Sequence, residues 1–309
     1  VHCRLARAAG AVARTARPGS GSGHPVKRCV FLSTDDLSAF VTDDDLAIAP
    51  LQRRGWTVEQ LSWRTAAVWD DYDVVIVRST WDYQDHPAAF DAVLQRIDAS
   101  RALLQNALPL LRWNMRKTYL RELAGKGVAL PPTIWGRAPD AAELSDLCTR
   151  LAADEVVIKP VVGANADRAY RVPRVAERGL LDRIVAAYAG REYLAQPFLP
   201  AVISEGEYSL IYFSGELSHT ILKTPKPGDF RVQEEHGGII ASVLPEPALR
   251  AAADSAMAAL PERPLYARVD MVRTASGFAL MELELIEPAL YFRMDPGSAE
   301  RFAVAVEGV

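Results

Sequence analysis

Two short stretches near the C-terminal end of the chain carry the residue types best suited to chemistry. They are Ala267-Arg268-Val269-Asp270-Met271-Val272 and Leu280-Met281-Glu282-Leu283-Glu284-Leu285-Ile286-Glu287-Pro288. Strand side chains alternate between faces, so Arg268 and Asp270 share one face, and so do Glu282 and Glu284. A three-residue loop over Ala275-Ser276-Gly277 sets Thr274 opposite Phe278, which brings Asp270 opposite Glu282 and Arg268 opposite Glu284. Three carboxylates at such range repel unless a cation lies among them. Oxygen-only ligands suit a hard ion, Mg²⁺ first and Mn²⁺ second. The alternative is an exposed charged face with one Arg–Glu cross-strand pair. The apolar set assigned to the opposite face, Val269, Met271, Met281, Leu283 and Leu285, favours a site.

Three further segments qualify. Val156-Val157-Ile158-Lys159-Pro160 ends an apolar strand on a lysine, and the small-residue loop Gly163 to Ala166 follows. A lysine so placed can hold phosphate while loop amides approach closely, or it can be a surface lysine at a strand end. Tyr193 to Leu199, ahead of Gly206-Glu207, can bracket a flat base between apolar side chains, or be simply a strand and a turn. Arg78-Ser79-Thr80-Trp81-Asp82-Tyr83 follows an apolar strand, at the carboxyl end where α/β sheets bind ligands. There Arg78 is placed to clamp a substrate carboxylate with Trp81 or Tyr83 as cover, so Arg78, Ser79, Trp81 and Asp82 are candidate substrate residues. The alternative is a folded loop in which Arg78 pairs Asp82 and Trp81 packs. Asp35-Asp36 suits an ammonium group or an ordinary Asx turn. Trp113-Asn114 reads as a cap and core anchor.

The elements that must position these groups alternate between strand and helix. Val26 to Ser33, Trp56 to Leu61 and Tyr72 to Val77 read as strands. Helices are expected over Asp44 to Arg54, with Gly55 as its stop, and from Pro87 to Ile97. Further helices are expected over Asn114 to Ala124, from the Asp140-x-x-Glu143 cap to about Ala153, and over 247–260. Val156 to Ile158 and Glu192 to Gln196 are short strands. Two hairpins follow, 207–213 with 217–223 and 266–273 with 278–286, the first turning at Ser214-Gly215.

Half of the residues are hydrophobic, 24% are charged, and the net charge is −4. That is a globular composition, with length for about two domains at roughly 150 residues each. No run approaches the roughly 20 apolar residues of a membrane span, and the acidic balance gives no argument for nucleic acid. Cys3, Cys29 and Cys148 have neither disulfide nor zinc spacing, which fits a reducing cytoplasm. Residues 1–28 hold six basic and no acidic groups, and Gly19 to Gly23 has linker composition. Residues 1–25 therefore read as a disordered tail, an upstream extension or a targeting leader. A Rossmann oxidoreductase is excluded because no Gly-rich turn follows Val26 to Ser33.

In this order the segments resemble the ATP-grasp superfamily, in its glutathione synthetase and RimK-like branch. The likeness runs from about 110 to 290, and more loosely over 26–108. Lys117, ahead of Gly127-Val128-Ala129-Leu130-Pro131, resembles the family's first phosphate-binding lysine, although Arg116 stands where Asp is usual. Val157-Ile158-Lys159-Pro160 resembles the strand carrying the second. Gln196-Pro197-Phe198-Leu199 resembles the hinge whose main chain at Phe198 and Leu199 meets adenine, and Glu207 the acid on the ribose. Arg268 with Asp270, Glu282 and Glu284 resembles the arginine and metal-ligand strands, Glu284 standing where Asn is usual. Lys223 and Arg231 resemble the acceptor and γ-phosphate region, and Arg268 would meet charge developing on an acyl phosphate.

The resemblance implies an α/β and α+β chain with the ATP-grasp fold. A βαβ lobe over 26–108 would precede two α+β lobes, 109–195 and 196–309, that sandwich ATP. It implies ATP and Mg²⁺ as cofactors, with a small-molecule carboxylate phosphorylated for attack by an amine. The alternative on the same fold is a non-catalytic ATP-binding sensor or partner protein. "RSTWDY" with "ELELIEP" also resembles bacterial stand-alone ATP-grasp proteins related to the cycloserine-forming ligase. Dimers are common in this branch, so a homodimer stays open.

Overall fold

The computed structural model describes residues 26–164 and 166–309, so the reading of residues 1–25 and the Asn165 position of the small-residue loop lie outside the described residues. The first unit runs β1 (Lys27–Ser33), α1 (Ile48–Arg53), β2 (Trp56–Ser62), β3 (Val74–Ser79), α2 (Pro87–Asp98) and β4 (Leu103–Gln105). Its four strands are parallel in the order β2-β1-β3-β4. Parallel strands are covered on both faces, which is why β1 and β3 read as unbroken apolar runs. Cys29, Phe31 and Ile76 pack to one side with α1, whereas Val30, Leu32, Val75 and Val77 pack to the other. The second side receives Phe90, Val93, Leu94 and Ile97, the helical stripe of α2, whose Pro87 stands in the first turn.

A second unit holds α3 (Leu108–Asn114), α4 (Tyr119–Gly125), β5 (Ile134–Arg137), α5 (Ala141–Arg150), β6 (Glu155–Pro160), β7 (Tyr170–Pro173), α6 (Arg178–Ala187) and β8 (Glu192–Pro197). Its antiparallel sheet runs β5-β8-β6-β7. The helix expected over Asn114 to Ala124 starts later, as α4, and Asn114 instead ends the separate helix α3. Between them the Lys117 amide leaves the helical ladder and donates to the Val161 carbonyl at 2.8 Å. Asp140 caps α5 by accepting from the Glu143 amide, and the helix stops short of Ala153 where Ala152 turns left-handed at φ +50°.

The third unit comprises α7 (Ala201–Ser204), β9 (Glu207–Phe213), β10 (Glu216–Thr224), β11 (Ile239–Val243), α8 (Pro247–Ala258), β12 (Tyr266–Thr274), β13 (Gly277–Glu284) and α9 (Ser298–Glu307). Five strands lie in the order β11-β10-β9-β12-β13. The β9–β10 turn has positive φ at both Ser214 and Gly215, which matches the twist of a two-residue hairpin.

The β12–β13 hairpin departs from expectation twice, and the departures cancel at the acids. Its turn is two residues long, so Thr274 faces Gly277 and Arg273 faces Phe278. A bulge at Met281 then shifts the register, and Asp270 faces Glu282 and Arg268 faces Glu284 as expected. The bulge also changes sides for one pair of residues. Leu280 joins the core with Val269, Met271, Leu283 and Leu285, whereas Met281 turns to the cleft beside Val202 and Val232. The outer side of β13 is fastened by side chains. Asn114 bonds the Leu283 carbonyl and Leu285 amide at 2.8 and 2.9 Å, and the Tyr119 hydroxyl bonds both main-chain groups of Leu283 at 2.9 Å.

Candidate active site

One cleft is lined from all three units. The second unit supplies Lys117, Lys159, Gln196, Phe198 and Leu199; the third supplies Glu207, Lys223, Arg231, Arg268, Asp270, Glu282 and Glu284; the first supplies Trp81 and Tyr83. The strand ends explain this convergence. Lys159 and Gln196 are the penultimate residues of β6 and β8, Glu207 opens β9, and the β12–β13 acids line the same cleft.

The acids are held by bases. Lys117 Nζ lies 2.7 Å from Glu282 Oε1 and donates to the Gly163 carbonyl at 2.6 Å. Lys223, opposite Glu207 in the β9–β10 ladder, lies 2.5 Å from Glu207 and 3.4 Å from Asp270. Arg268 lies 3.0 Å from Asp270, and also bonds Glu284. Ser209 donates to Asp270 as well. The cross-strand Arg–Glu pair of the alternative reading is thus present, but its exposed face is not, since Arg268 and Asp270 are buried.

Charge balance follows from these pairs. Burial alone would raise the Asp270 carboxyl, yet Arg268 and Lys223 hold it below the usual range. Glu282 is likewise lowered against burial by Lys117 and Lys159. Glu284 goes the other way, because burial and its two acidic neighbours outweigh Arg268. Lys223 is raised, as Asp270 and Glu207 more than offset burial. Burial lowers Lys159, and among the described residues no carboxylate lies within 4 Å of its Nζ. An incompletely neutralised lysine in a cleft is suited to an anion.

Two tests bear on the expected ligands. Gln196 is 1% exposed, and its amide nitrogen bonds Thr133 at 3.0 Å while its amide oxygen is buried with no partner among the described residues. An adenine amino group is a donor that suits such an acceptor. The Phe198 amide is spent on the Glu155 carbonyl at 2.9 Å, so Phe198 can offer a base only its carbonyl. For Mg²⁺ the donor type fits: Asp270 and Glu282 are directly opposed on adjacent strands, with Glu284 on the same strand. Their side chains do not converge on one point, and among the described residues no three acids, histidines or cysteines do. A shared ion requires Glu282 and Glu284 to turn away from Lys117 and Arg268.

Three candidate substrate residues lie elsewhere. Arg78 is 1% exposed and pairs with Asp44 at 2.8 Å, rather than with Asp82 or a ligand, and it also donates to the Pro288 carbonyl at 2.9 Å. Ser79 donates to the same Asp44 at 2.5 Å. Asp82 accepts from the Trp63 indole at 2.8 Å and from Arg64 at 2.5 Å. A buried guanidinium must be paired, and Asp44 pairs it. Arg78, Ser79 and Asp82 are therefore outside the cleft lining, whereas Trp81 lines it and donates to the Glu287 carbonyl at 2.8 Å. Arg231 lines the cleft with its guanidinium bound to Asp229 at 2.7 Å. Asp36 forms an Asx turn to Ser38, and Asp35 is tied to Ser62 and Arg64. Asn114 is an anchor, as expected, but it ends α3 instead of capping the start of a helix, and it also lines the cleft.

Tyr83, offered with Trp81 as a substrate cover, does line the cleft, whereas sequence reasoning missed Glu287 and Tyr291 on the same wall. Burial and Glu284 together raise the Glu287 carboxyl well above the ordinary range. Glu287 is out of phase with Glu282 and Glu284, so strand alternation carries no signal for it.

The fold and this cleft define an ATP-grasp ligase, an ATP-dependent carboxylate–amine ligase. The model of the D-cycloserine synthetase DcsG N-terminal domain matches residues 29–106. The cycloserine biosynthesis protein DcsG of Streptomyces lavendulae is 31% identical over 272 residues, 82% of this chain and 88% of that protein. The crystal structure of D-cycloserine synthetase DcsG is similar with a TM-score of 0.78 at 28% identity, covering 91% of this chain and 99% of that one. The chain belongs to the DcsG family. The fold is shared more widely. A RimK domain ATP-grasp protein from Sphaerobacter thermophilus has a TM-score of 0.65 at 17% identity, with 90% and 98% coverage. A D-alanine–D-alanine ligase from Bacillus anthracis has 0.65 at 16%, with 91% and 96%.

Proposed function

We propose that the chain joins a small amino-acid-like carboxylate to an amine through an acyl phosphate made from Mg·ATP. The observation that carries this reading is the lining of one cleft by Lys117 and Lys159 from one side and by Asp270, Glu282 and Glu284 from the other. Gln196 and the hinge at Phe198–Leu199 would take the base, Glu207 the ribose, and the two lysines the phosphates. Asp270, Glu282 and Glu284 would hold Mg²⁺, which neutralises phosphate charge when bound.

A carboxylate oxygen of the substrate attacks the γ-phosphorus, the bond to the β-phosphate oxygen breaks, and ADP leaves. The amine then attacks the acyl carbon, loses a proton and expels phosphate. Arg268, fixed by Asp270 and Glu284, is oriented to stabilise the oxyanion, and Arg231 the transferred group; catalysis is positioning and charge stabilisation. Trp81 would cover the substrate. No helix among the described residues is long and apolar enough to cross a membrane. A ligase drawing on cellular ATP would work in the cytoplasm.

The test is ADP release across a panel of amino acids and amines, with Asp270→Asn as control. Stimulation by a panel member in the native protein alone supports the reading. ATP binding without stimulated turnover by any member returns the sensor reading instead.

A further inference from the structure

Two loops from different units meet on the wall of the cleft. The first unit contributes residues 34–43, between β1 and α1, and the third contributes residues 225–238, between β10 and β11. Val41 of the first loop and residues 230–235 of the second line the cleft. Arg293, which stands outside that lining, joins them. Its Nη1 lies 3.2 Å from Asp43, its Nη2 bonds Glu234, and its amide donates to the same Asp43 carboxylate at 3.0 Å. A direct link runs alongside, from the Val41 amide to Glu235 Oε1 at 3.5 Å. Asp43 is buried, and the Arg293 and Glu234 side chains are 30% and 23% exposed, so the bridge is partly shielded from the screening that weakens surface pairs.

The loop held by Arg293 has a defined internal shape. Gly237 takes a left-handed φ of +85°, and a Cβ on Gly238 would come within 2.0 Å of the Val232 carbonyl, so the chain folds tightly back on itself there. The Gly238 amide donates to the Gln233 carbonyl at 3.0 Å. Asp229 bonds Arg231 inside the loop, and Phe230 stands edge-on to Phe198 of the hinge at 6.3 Å. Glu234, through Arg293, and Glu235 then tie this preformed piece to the first unit. The same loop carries Arg231, so its position sets where that guanidinium stands in the cleft.

We propose that Arg293 is a positioning residue that clasps the 225–238 loop to the first unit, so that the acyl phosphate reacts with nitrogen and not with water. The proposal rests on the ligase reading above and adds a residue that touches none of the reacting atoms. An amine attacking the acyl carbon forms the C–N bond, loses a proton and expels phosphate. Water attacking the same carbon forms a C–O bond, loses its protons and expels phosphate, which returns the starting carboxylate with ATP consumed. Water outnumbers any dissolved amine, so the outcome depends on keeping the loop in place while the acyl phosphate lives. A planar guanidinium suits that task, because its two terminal nitrogens bind an acid on each side of the junction at once.

The test uses the full chain with Mg·ATP, a panel of D- and L-alanine and D- and L-serine, and hydroxylamine as nucleophile, and it measures hydroxamate formed per ADP released. The native protein is expected to give a ratio of about one. Glu234→Ala leaves the Arg293–Asp43 pair in place and should lower that ratio about three- to tenfold at low hydroxylamine, with KM for ATP within about twofold. Raising hydroxylamine should restore the ratio, because the nucleophile then competes with water. Arg293→Lys reaches one acid at a time and should lower the ratio likewise. A general loss of structure would reduce ADP and hydroxamate together and leave the ratio where it was. An unchanged ratio in Glu234→Ala therefore overturns the proposal, as does a ratio that falls in Arg293→Lys alone. No hydroxamate from any panel member with the native protein defeats the ligase reading, and the clasp falls with it.

Discussion

Two charged stretches in the chain are alike in composition and opposite in use. In the β12–β13 hairpin Arg268, Asp270, Glu282 and Glu284 all line the cleft. In the 78–82 segment that follows β3, Arg78, Ser79 and Asp82 turn to protein partners, and only Trp81 reaches the cleft wall. The hairpin residues sit in a paired antiparallel ladder, where register dictates the face on which each side chain emerges. Arg78 sits at a strand end, and its direction is decided by Asp44, 34 residues earlier in the chain. Local pattern decides the first case, and a distant partner decides the second.

The largest effect expected is on stability. Arg78→Met leaves Asp44 buried without its cation and should cost about 3–5 kcal/mol in urea unfolding. A KM increase with unchanged stability would restore Arg78 as a substrate clamp and dissolve the contrast. In the hairpin, Asp270→Asn should lower kcat by about 10²- to 10³-fold in ADP release. Retained activity would make the hairpin acids structural, like Arg78.

His219 is a second strut toward the segment that carries Glu287, bonding the Leu290 carbonyl at 3.0 Å. Burial lowers its imidazole from 6.5 to about 4. The unfolded chain takes up the proton as pH falls through 6.5, whereas the native protein does so only near 4. Its contribution is thus full above pH 6.5 and is lost progressively down to about 4, by up to about 3 kcal/mol. The difference in unfolding free energy between the native protein and His219→Gln should narrow by that amount over this window; a constant difference would remove His219 from the struts. The smallest effect belongs to the cleft. Gln196→Leu should raise KM for ATP about fivefold, corresponding to one hydrogen bond, with KM for other substrates unchanged.

What was legible follows the same division. The parallel strands β1 and β3 were evident as apolar runs, and Pro87 and Asp140 marked helix starts. Lys117, Lys159, Gln196 and Glu207 meet in one cleft because the motif order reflects the fold. The break between α3 and α4 was not legible, because it depends on the Lys117 amide finding the Val161 carbonyl, just past the end of β6. Nor was the bulge: it places Met281 on the cleft face, where strict alternation had put it in the core. Glu287 lies beyond the last paired strand residue, so only the three-dimensional structure reveals that, among the described residues, no lysine or arginine stands within 4 Å of it.

The displaced register at Met281 bears on which sequence changes this hairpin can absorb. Deleting Met281 would remove the bulge and make Leu280 and Glu282 successive residues, so Asp270 would still face Glu282. A residue inserted between Glu282 and Glu284, by contrast, would point one of the two carboxylates at the hydrophobic interior. Natural indels in this hairpin should therefore fall at the bulge or in the turn and spare the stretch from Glu282 to Glu284.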